Sequence, residues 1–457
     1  MIRFLLKIFL FSGFFLFGLK CVDNLFIVKN DYSFSREKYE NINKNIDIAI
    51  FGSSHAYRTF DPRIFEVQLG LNTYNFGSSS QHLITTEAVM DDVLSNNNVK
   101  LAIIDVYGLA LQKIGEKDEK RRSFQLNVFD NLDFSFSKLS AYKKQFGLRE
   151  FYNLSPTIRN HGNWNKIFAK RHPSINKNED FYNGFHTDFR FNKKRWDFSI
   201  KKNNQNKRRN IVIKQLTIEQ QQNIDAIIDK AKEFNVPIIL ACAPFHKEIG
   251  KRATSYQELV KKYLDSKEVE YLDYNLLWKE IGLNKFDFKD LDHLNARGAL
   301  KVSTHISNYI NKNFTLKNVE GHNKDFLSNR YAIVGSNNVE VLLEKALTNS
   351  IVKAKFGIEK IYLFKAYNNT FELLIEGEND KLKSLNTCFY YETNSGSSNE
   401  NKKIKDCNWI NGAFKYNNKQ YLCQQFSIFN DDIENIRLLI GPDKDIQVLH
   451  INKLKLN

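Results

Sequence analysis

The order of apolar runs and amphipathic segments along the chain restricts its fold more than any other feature. Ile46–Phe51 is almost continuously apolar, which is typical of a strand buried on both faces of a parallel sheet. Further strands are predicted at 72–77, 99–108, 236–244 and 269–275. Segments with helical spacing separate them, and this alternation predicts an α/β fold whose parallel sheet is covered by helices on both faces.

Residues that commonly cap helices mark where several predicted helices begin and end. Asp61–Pro62 predicts a start and Gly70 predicts an end. Thr217, with Gln220 three residues later, has the pattern of a capping box and precedes apolar residues at helical spacing. Asn295 is the predicted cap of a closing helix that follows it directly.

The pattern changes at two places in the 457 residues, a length sufficient for two or three domains. Residues 110–215 are irregular, aromatic and basic, so we interpret them as an insertion or lid within an α/β domain over 30–315. From 325 to 457, alternating strands separated by Asn, Gly, Ser and Asp turns predict an antiparallel β-sandwich domain.

Residues 1–29 are interpreted as a signal-anchor segment. Two basic residues precede an apolar run, Ile8–Leu19, which has the length of a signal-peptide core. No small-residue cleavage site follows, and the lysine before Cys21 does not fit a lipoprotein signal. We therefore expect an uncleaved N-terminal helix in the membrane and a chain that faces the periplasm or the cell exterior.

Composition narrows the class of partner. Hydrophobic residues make up 42% and charged residues 26%, which excludes a disordered or polytopic membrane chain. The net charge of +15 suits an anionic partner, although the basic run Lys193–Arg209 favours a solvated face over polyanion binding. No nucleic acid is expected, because no reader motif is present. The five cysteines lack zinc-site spacing, so we expect no metal and no cofactor.

A serine directly follows the first buried strand. In "FGSSHAY", Gly52 allows a tight turn, and Ser54 stands beyond the carboxyl end of the strand, where parallel sheets bind ligands. Backbone N–H groups close to such a serine can bind an oxyanion. Taken alone, "GSS" favours the simpler alternative that Ser53 and Ser54 cap the next turn.

The stretch "FDFKDLDHLNARGA", residues 286–299, offers a partner for that serine. His293 follows three carboxylates, those of Asp287, Asp290 and Asp292. A carboxylate near a histidine can fix its tautomer and stabilise its protonated form, as in a nucleophile–base–acid triad. The serine and the histidine therefore strengthen each other as candidates.

These features together resemble the SGNH/GDSL hydrolase superfamily. The resemblance rests on the strand–GxS start, the parallel α/β body and the late D-x-x-H before the last helix, and it covers roughly residues 46–312. It is strongest to the membrane-anchored GSS branch, which includes the D-alanine transfer proteins of teichoic-acid operons and, more distantly, alginate acetylation proteins. It implies an SGNH-type three-layer catalytic domain.

The resemblance also implies roles for the site residues. Ser54 would be the nucleophile, His293 the base and Asp290 the orienting acid. Asp290 can fold back onto the histidine within the loop, whereas Asp292, adjacent to it, would point elsewhere and Asp287 is the reserve candidate.

The second family block supplies the expected oxyanion hole. It typically reads N-x-G-x-S-G, and here it reads "NFGSSS", residues 75–80. Backbone N–H groups of Ser54, Ser80 and Gly77 are the expected donors, with Ser80 in the place of the last glycine. The asparagine of the third block is absent from "DVYGLAL".

Four further residues are weaker candidates for lining a substrate pocket: His55, Arg58, Tyr107 and His246. His55 follows the nucleophile but could equally support the site from behind. Arg58 could hold an anionic group or be a solvated arginine. His246 follows the fourth predicted strand, at the same rim.

Two functions are consistent with these features. The first is an extracytoplasmic serine acyl transferase or esterase, most simply for acetyl groups, acting on a cell-surface polysaccharide through an acyl-serine. The C-terminal domain would then bind carbohydrate. The second is a non-catalytic glycan-binding accessory of a membrane-bound O-acyltransferase. Reaction of the serine with a fluorophosphonate probe separates the two.

Overall fold

The computed structural model describes the following residues: 2–28, 30–42, 45–107, 111, 118–165, 181–186, 197–198, 200–202, 205, 211–246, 249, 251–267, 269–316, 340–346, 357–365, 370–377, 387–393, 402–406, 414–416, 419–427, 433–440 and 447–451.

The helices, numbered in chain order, are α1 Ile2–Phe26, α2 Asp31–Glu40, α3 Ser54–Thr59, α4 Pro62–Leu69, α5 Leu83–Asn96, α6 Glu119–Asp130, α7 Phe136–Phe146, α8 Pro156–Asn160, α9 Ile218–Glu233, α10 Lys251–Leu264 and α11 Ala296–Asn313. Short 3₁₀ helices occupy Leu148–Leu154, His161–Asn163 and Lys285–Asp287.

The strands of the N-terminal part are β1 Ile48–Phe51, β2 Thr73–Asn75, β3 Leu101–Asp105, β4 Phe181–Tyr182, β5 Phe185–His186, β6 Ile238–Cys242 and β7 Glu270–Asp273. Those that follow are β8 Glu340–Ala346, β9 Ile358–Lys365, β10 Thr370–Gly377, β11 Thr387–Thr393, β12 Lys402–Asp406, β13 Phe414–Tyr416, β14 Lys419–Ser427, β15 Ile433–Ile440 and β16 Gln447–Ile451.

Five strands form a parallel sheet in the order β2-β1-β3-β6-β7. β1 lies between β2 and β3, and its Ile48 is paired with Thr73 on one side and with Leu101 on the other. The predicted α/β fold with a parallel sheet is thus confirmed, and each of the five predicted runs contains one strand. The strand order reverses between β1 and β3, and open α/β sheets bind ligands in the crevice at such a point.

The continuous apolar character of β1 follows from cores on both faces of the sheet. Ile48 and Ile50 pack on one side with residues of α3, α4 and α11. Ala49 and Phe51 pack on the other side with residues of α5, α7 and α9. Since alternate residues of a strand point to opposite faces, a strand with two cores needs apolar residues at every position.

The predicted helix caps are present. The Asp61 side chain accepts the Arg63 N–H, and Gly70 ends α4 with a left-handed φ of 68°. Thr217 and Gln220 form the capping box of α9. The Asn295 side chain accepts two N–H groups of the first turn of α11.

The description of 110–215 as irregular is wrong for part of that range. Helices α6 and α7 lie within it, and Phe129 and Tyr142 are buried in the core that also contains α5. The apolar residues of α6 are irregularly spaced, so tertiary contacts rather than an amphipathic pattern define that helix. In α7, Phe136, Leu139, Tyr142 and Phe146 do follow a helical spacing. Much of the basic run Lys193–Arg209 lies outside the described residues, and the lid remains a prediction.

The described residues after 339 form antiparallel strands. One sheet has the order β13-β14-β10-β9-β8 and another has the order β12-β11-β15-β16. The predicted change from a parallel to an antiparallel part of the chain is therefore present, whereas their packing as a β-sandwich remains a prediction.

The N-terminal segment forms helix α1, and near its end the Asp23 carboxylate accepts hydrogen bonds from Ser155 and Thr157. Among the described residues, no helix has both the length and the apolar character of a membrane span.

Candidate active site

The turn after β1 presents Ser54 at the start of a helix. Gly52 has a φ of 138°, and a Cβ at this position would lie 2.8 Å from Cβ of Asp105. Only glycine fits such a turn without strain. Ser53 is the N-cap of α3, its Oγ accepting the His55 N–H at 3.3 Å. The capping alternative therefore holds for Ser53, while the Ser54 hydroxyl makes a different contact.

Ser54 Oγ lies 2.8 Å from Nε2 of His293. Nδ1 of the same ring lies 2.8 Å from Oδ1 of Asp290. With the proton on Nδ1, the ring donates to the carboxylate and its Nε2 accepts the Ser54 O–H. The structure thus brings together the three residues predicted from the sequence. The serine and the histidine are 239 positions apart along the chain.

A tight loop holds Asp290 against His293. The loop is closed by the Lys289 N–H, which donates to the His293 carbonyl at 2.9 Å. Asp290 Oδ1 also accepts the backbone N–H groups of Asp292 and His293, at 3.1 and 2.9 Å. Burial alone would raise the pKa of Asp290, but the charge and hydrogen bond of His293 outweigh it and hold that pKa well below its ordinary value. The acid is therefore ionised at neutral pH.

The reserve candidate, Asp287, has a structural position instead. Its carboxylate is fully buried and pairs with Arg297 Nε at 2.6 Å and Lys301 Nζ at 3.0 Å. Although burial would raise the pKa of Asp287, these two cations lower it. Asp287 therefore connects the loop that carries Asp290 and His293 to α11.

One group of described residues could hold a metal ion, formed by Asp290, Asp292 and His293, whose ligand atoms lie within 4.8 Å of one another. The His293 nitrogens and Asp290 Oδ1 already make the contacts of the serine–histidine–aspartate chain. The arrangement therefore suits proton transfer better than metal binding.

Of the three expected oxyanion donors, two have backbone N–H groups without a partner among the described residues. Ser54 stands in the first turn of α3, where N–H groups lack partners within the helix. Ser80 has a left-handed φ of 55°, and its N–H donates to no other described residue. By contrast, the Gly77 N–H donates to Asn75 Oδ1 at 3.0 Å. In this conformation Ser54 and Ser80, rather than Gly77, have the expected free donors.

Asn75 is a site residue that the sequence analysis did not single out. Its amide donates to the carbonyls of Ala56 and Phe60, both at 3.0 Å, and so ties α3 to the end of β2. Its position as the first residue of the "NFGSSS" block could have identified Asn75 from the sequence.

Asp105 was also missed. It ends β3, is fully buried, and accepts the Ala243 N–H at 3.0 Å, with Ser53 Oγ 3.5 Å away. Burial raises the pKa of Asp105 to about 7, against the hydrogen bonds it accepts. An acidic residue at the end of an otherwise apolar strand could have identified Asp105 from the sequence.

The four weaker candidates make different kinds of contact. The His55 ring centroid lies 3.6 Å from that of Tyr107 and 4.9 Å from that of His293, so both predicted residues lie at the site. Arg58 is buried and contacts Nδ1 of His186 at 3.2 Å. His246 touches the site loop through its backbone N–H, which donates to Leu291.

A cavity of about 50 Å³ lies beside residues 77–79 of the loop that follows β2. It is lined by α2, by Tyr57 of α3, by 77–79, and by Phe124 and Gly184. Tyr57 stands three residues after Ser54 on the same helix, and its hydroxyl lies 3.0 Å from Ser79 Oγ. A volume of this size has room for a few water molecules. Ser54, Ser80 and His293 are not among the residues that line it.

No protein-family profile matches the chain, and no curated protein matches it. Among solved structures, it is similar to BT4096, a gut microbial diltiazem-metabolizing enzyme, with 10% sequence identity and a TM-score of 0.25. The match covers 79% of this chain and 61% of that chain, so it spans less than two thirds of that protein. At this TM-score we draw no conclusion from the likeness about fold or activity.

Proposed function

We propose that the chain is an extracytoplasmic SGNH-type serine enzyme that transfers or hydrolyses short acyl groups on a cell-surface polysaccharide. One observation carries the proposal: Ser54, His293 and Asp290 form a continuous chain of hydrogen bonds at the carboxyl ends of a parallel sheet. Nucleophile, base and orienting acid each have the contacts that acyl transfer through a serine requires.

The reaction follows from these contacts. As Ser54 Oγ attacks the carbonyl carbon of an ester, its proton passes to Nε2 of His293. The tetrahedral oxyanion is stabilised by the N–H groups of Ser54 and Ser80. His293 then protonates the departing alcohol, and an acyl-serine remains. A sugar hydroxyl or a water molecule next gives its proton to His293 and attacks the acyl carbon. As the bond to Ser54 Oγ breaks, His293 returns the proton to that oxygen, which restores the serine.

The ionised Asp290 matters most when His293 is positively charged. Its carboxylate accepts the Nδ1–H and stabilises the imidazolium that forms in both half-reactions. The low pKa of Asp290 keeps this acceptor charged throughout the neutral range.

Two features are consistent with a membrane-associated enzyme that acts on a glycan. The antiparallel strands after residue 339 are consistent with a carbohydrate-binding β-sandwich. Exposed apolar residues of α1, among them Phe4, Phe9 and Phe14, are consistent with a membrane anchor and with a membrane-bound O-acyltransferase as partner.

The second candidate is a non-catalytic glycan-binding accessory of such an acyltransferase. A protein of that kind has no need for a serine 2.8 Å from an imidazole or for a carboxylate held at its other nitrogen. The two candidates differ in whether Ser54 reacts.

The deciding experiment is labelling of the purified protein with a fluorophosphonate probe, together with turnover of an acetyl ester. We expect the wild-type protein to react and Ser54→Ala to show no labelling and no turnover, with an unchanged melting temperature. Ser53→Ala is the matched control. It loses the cap of α3, which costs about 1 kcal/mol of stability, but retains a serine that reacts. A wild-type protein that never reacts would favour the accessory.

A further inference from the structure

The side chain of His55, the residue after Ser54, packs against the ring of His293. His55 follows Ser54 in α3 and is 4% exposed. Its ring lies 4.9 Å from the His293 ring, with the two planes 27° apart, a stacked arrangement. Such distances are typical of favourable ring–ring packing.

His55 is itself held by other rings. The Tyr107 ring lies 3.6 Å away, at 31°, and the Phe245 ring lies 5.7 Å from that of Tyr107 in an edge-to-face arrangement. Tyr107 follows β3 and Phe245 follows β6, so the row of rings spans neighbouring strand ends. His55 therefore has little freedom to move away from His293.

The contact is made by an uncharged ring. Burial, and then the charge of His293, lower the pKa of His55 well below its ordinary value, while Asp290 opposes this only in part. Its Nδ1 is buried and has no hydrogen-bond partner among the described residues, so we expect it to contribute through packing rather than by accepting a proton from Ser54.

We infer that His55 is a positioning residue that holds the His293 ring within hydrogen-bonding distance of Ser54. The inference rests on the proposed function, because it gives this role to a residue of the same site. Asp290 restrains His293 from within its own loop, whereas His55 belongs to the helix that carries the nucleophile. The stack thus links the two parts of the chain whose side chains must meet at 2.8 Å.

An uncharged ring is suited to this position for a second reason. In both half-reactions His293 gains a proton, and a cationic neighbour stacked on it would oppose that step. Since His55 stays neutral, it can restrain the ring without raising the free energy of the imidazolium.

The test compares His55→Ala with His55→Phe, using two readouts. The first is the rate constant for fluorophosphonate labelling of Ser54. We expect His55→Ala to react about 10- to 100-fold more slowly than the wild-type protein, because small misplacements of reacting groups have effects of this size. His55→Phe keeps a neutral ring and should recover most of that loss.

The second readout does not depend on activity. The Nδ1–H of His293, bonded to Asp290, should give a downfield proton resonance in nuclear magnetic resonance spectra. We expect His55→Ala to broaden or remove this resonance and His55→Phe to retain it. His305→Ala, which removes a histidine of α11 that contacts Glu280, is the matched control and should leave the resonance and the labelling rate unchanged.

The outcomes separate the two proposals. A wild-type protein that does not label overturns the proposed function, and the resonance still decides the role of His55. A sharp resonance and a wild-type labelling rate in folded His55→Ala would overturn the positioning role. So would a His55→Phe variant as impaired as His55→Ala, since a ring nitrogen would then be required.

Discussion

At the scale of single residues, the acid of the site is decided by which N–H groups each carboxylate accepts. Asp290 Oδ1 accepts three N–H groups, one of them from the ring of His293. Asp287 faces two buried cations instead. Residues of the same type, three positions apart, thus have different roles.

Substituting the three loop carboxylates by asparagine should separate those roles. We expect Asp290→Asn to lower turnover by about four orders of magnitude, as in the best-studied serine triad, because the amide favours the wrong tautomer of His293. Asp292→Asn should have a mild effect. Asp287→Asn should destabilise the protein by about 3–5 kcal/mol, since Arg297 and Lys301 remain buried without their carboxylate.

The measurement is turnover of one acylated substrate, with thermal melts of all three variants. If Asp292→Asn were the inactive variant, the assignment of Asp290 would be wrong. Equal and mild losses in all three would indicate that Ser54 and His293 act as a dyad.

Asp105 predicts a dependence of stability on pH. Its carboxyl ionises near pH 3.9 when unfolded but at about 7 in the fold. Between these values the folded state retains a proton that the unfolded state has lost, so the free energy of unfolding falls as the pH rises.

Asp105→Asn removes this ionisation while keeping an acceptor for the Ala243 N–H. We expect the stability of the variant, relative to the wild-type protein, to increase by about 2–4 kcal/mol between pH 4 and pH 7.5. Urea unfolding at several pH values measures it. A difference that does not change with pH would show that Asp105 ionises in the folded protein as it does in the unfolded chain.

At the scale of elements, the site depends on the close packing of the start of α3 against the loop after β2. A Cβ on Gly77 would lie 2.9 Å from Asn75 Oδ1 and 3.1 Å from the Ser53 carbonyl oxygen. Neither atom can move away easily, because the asparagine holds α3 and the carbonyl belongs to its first turn.

We therefore expect Gly77→Ala to lower stability by about 1–3 kcal/mol and to reduce the labelling rate of Ser54, since the start of α3 must shift. Gly162→Ala makes the same substitution where a Cβ meets no atom within 4 Å, and it should leave both quantities unchanged. Melting temperatures and labelling rates of the two variants decide the point. Equal behaviour would mean that the loop adapts without moving α3.

At the scale of the whole molecule, the chain changes from a parallel sheet with helices to antiparallel strands after residue 339. A chain with two such patterns is predicted to contain two units with separate cores. The proposed glycan-binding role belongs to the second of them.

We expect a fragment from 325 to 457 to fold alone, with a circular dichroism spectrum of the β type and a cooperative melt. It should bind the surface polysaccharide of its own cell weakly, and this can be measured by co-sedimentation. The same fragment unfolded by heat serves as the control. If the folded fragment does not bind the polysaccharide, the glycan-binding role is wrong and the domain has only a structural role.

The sequence by itself determined those features that depend on local chemistry. Runs that are almost continuously apolar predicted the strands of a sheet that is buried on both faces, because most side chains of such a strand contact a core. Asp61, Thr217 and Asn295 predicted helix starts, since their side chains satisfy N–H groups of the first turn. The spacing of Asp290 and His293 within one loop made their contact predictable.

Only the tertiary structure decided the contacts between distant segments. The distance of 2.8 Å between Ser54 and His293, and the stack of His55 on His293, require the strand order of the sheet and the path of the loop before α11. The roles of Asp287 and Asp105 depend on which cations or N–H groups surround each carboxylate. Local sequence does not encode these neighbours, because burial and partner choice arise when separate elements pack together.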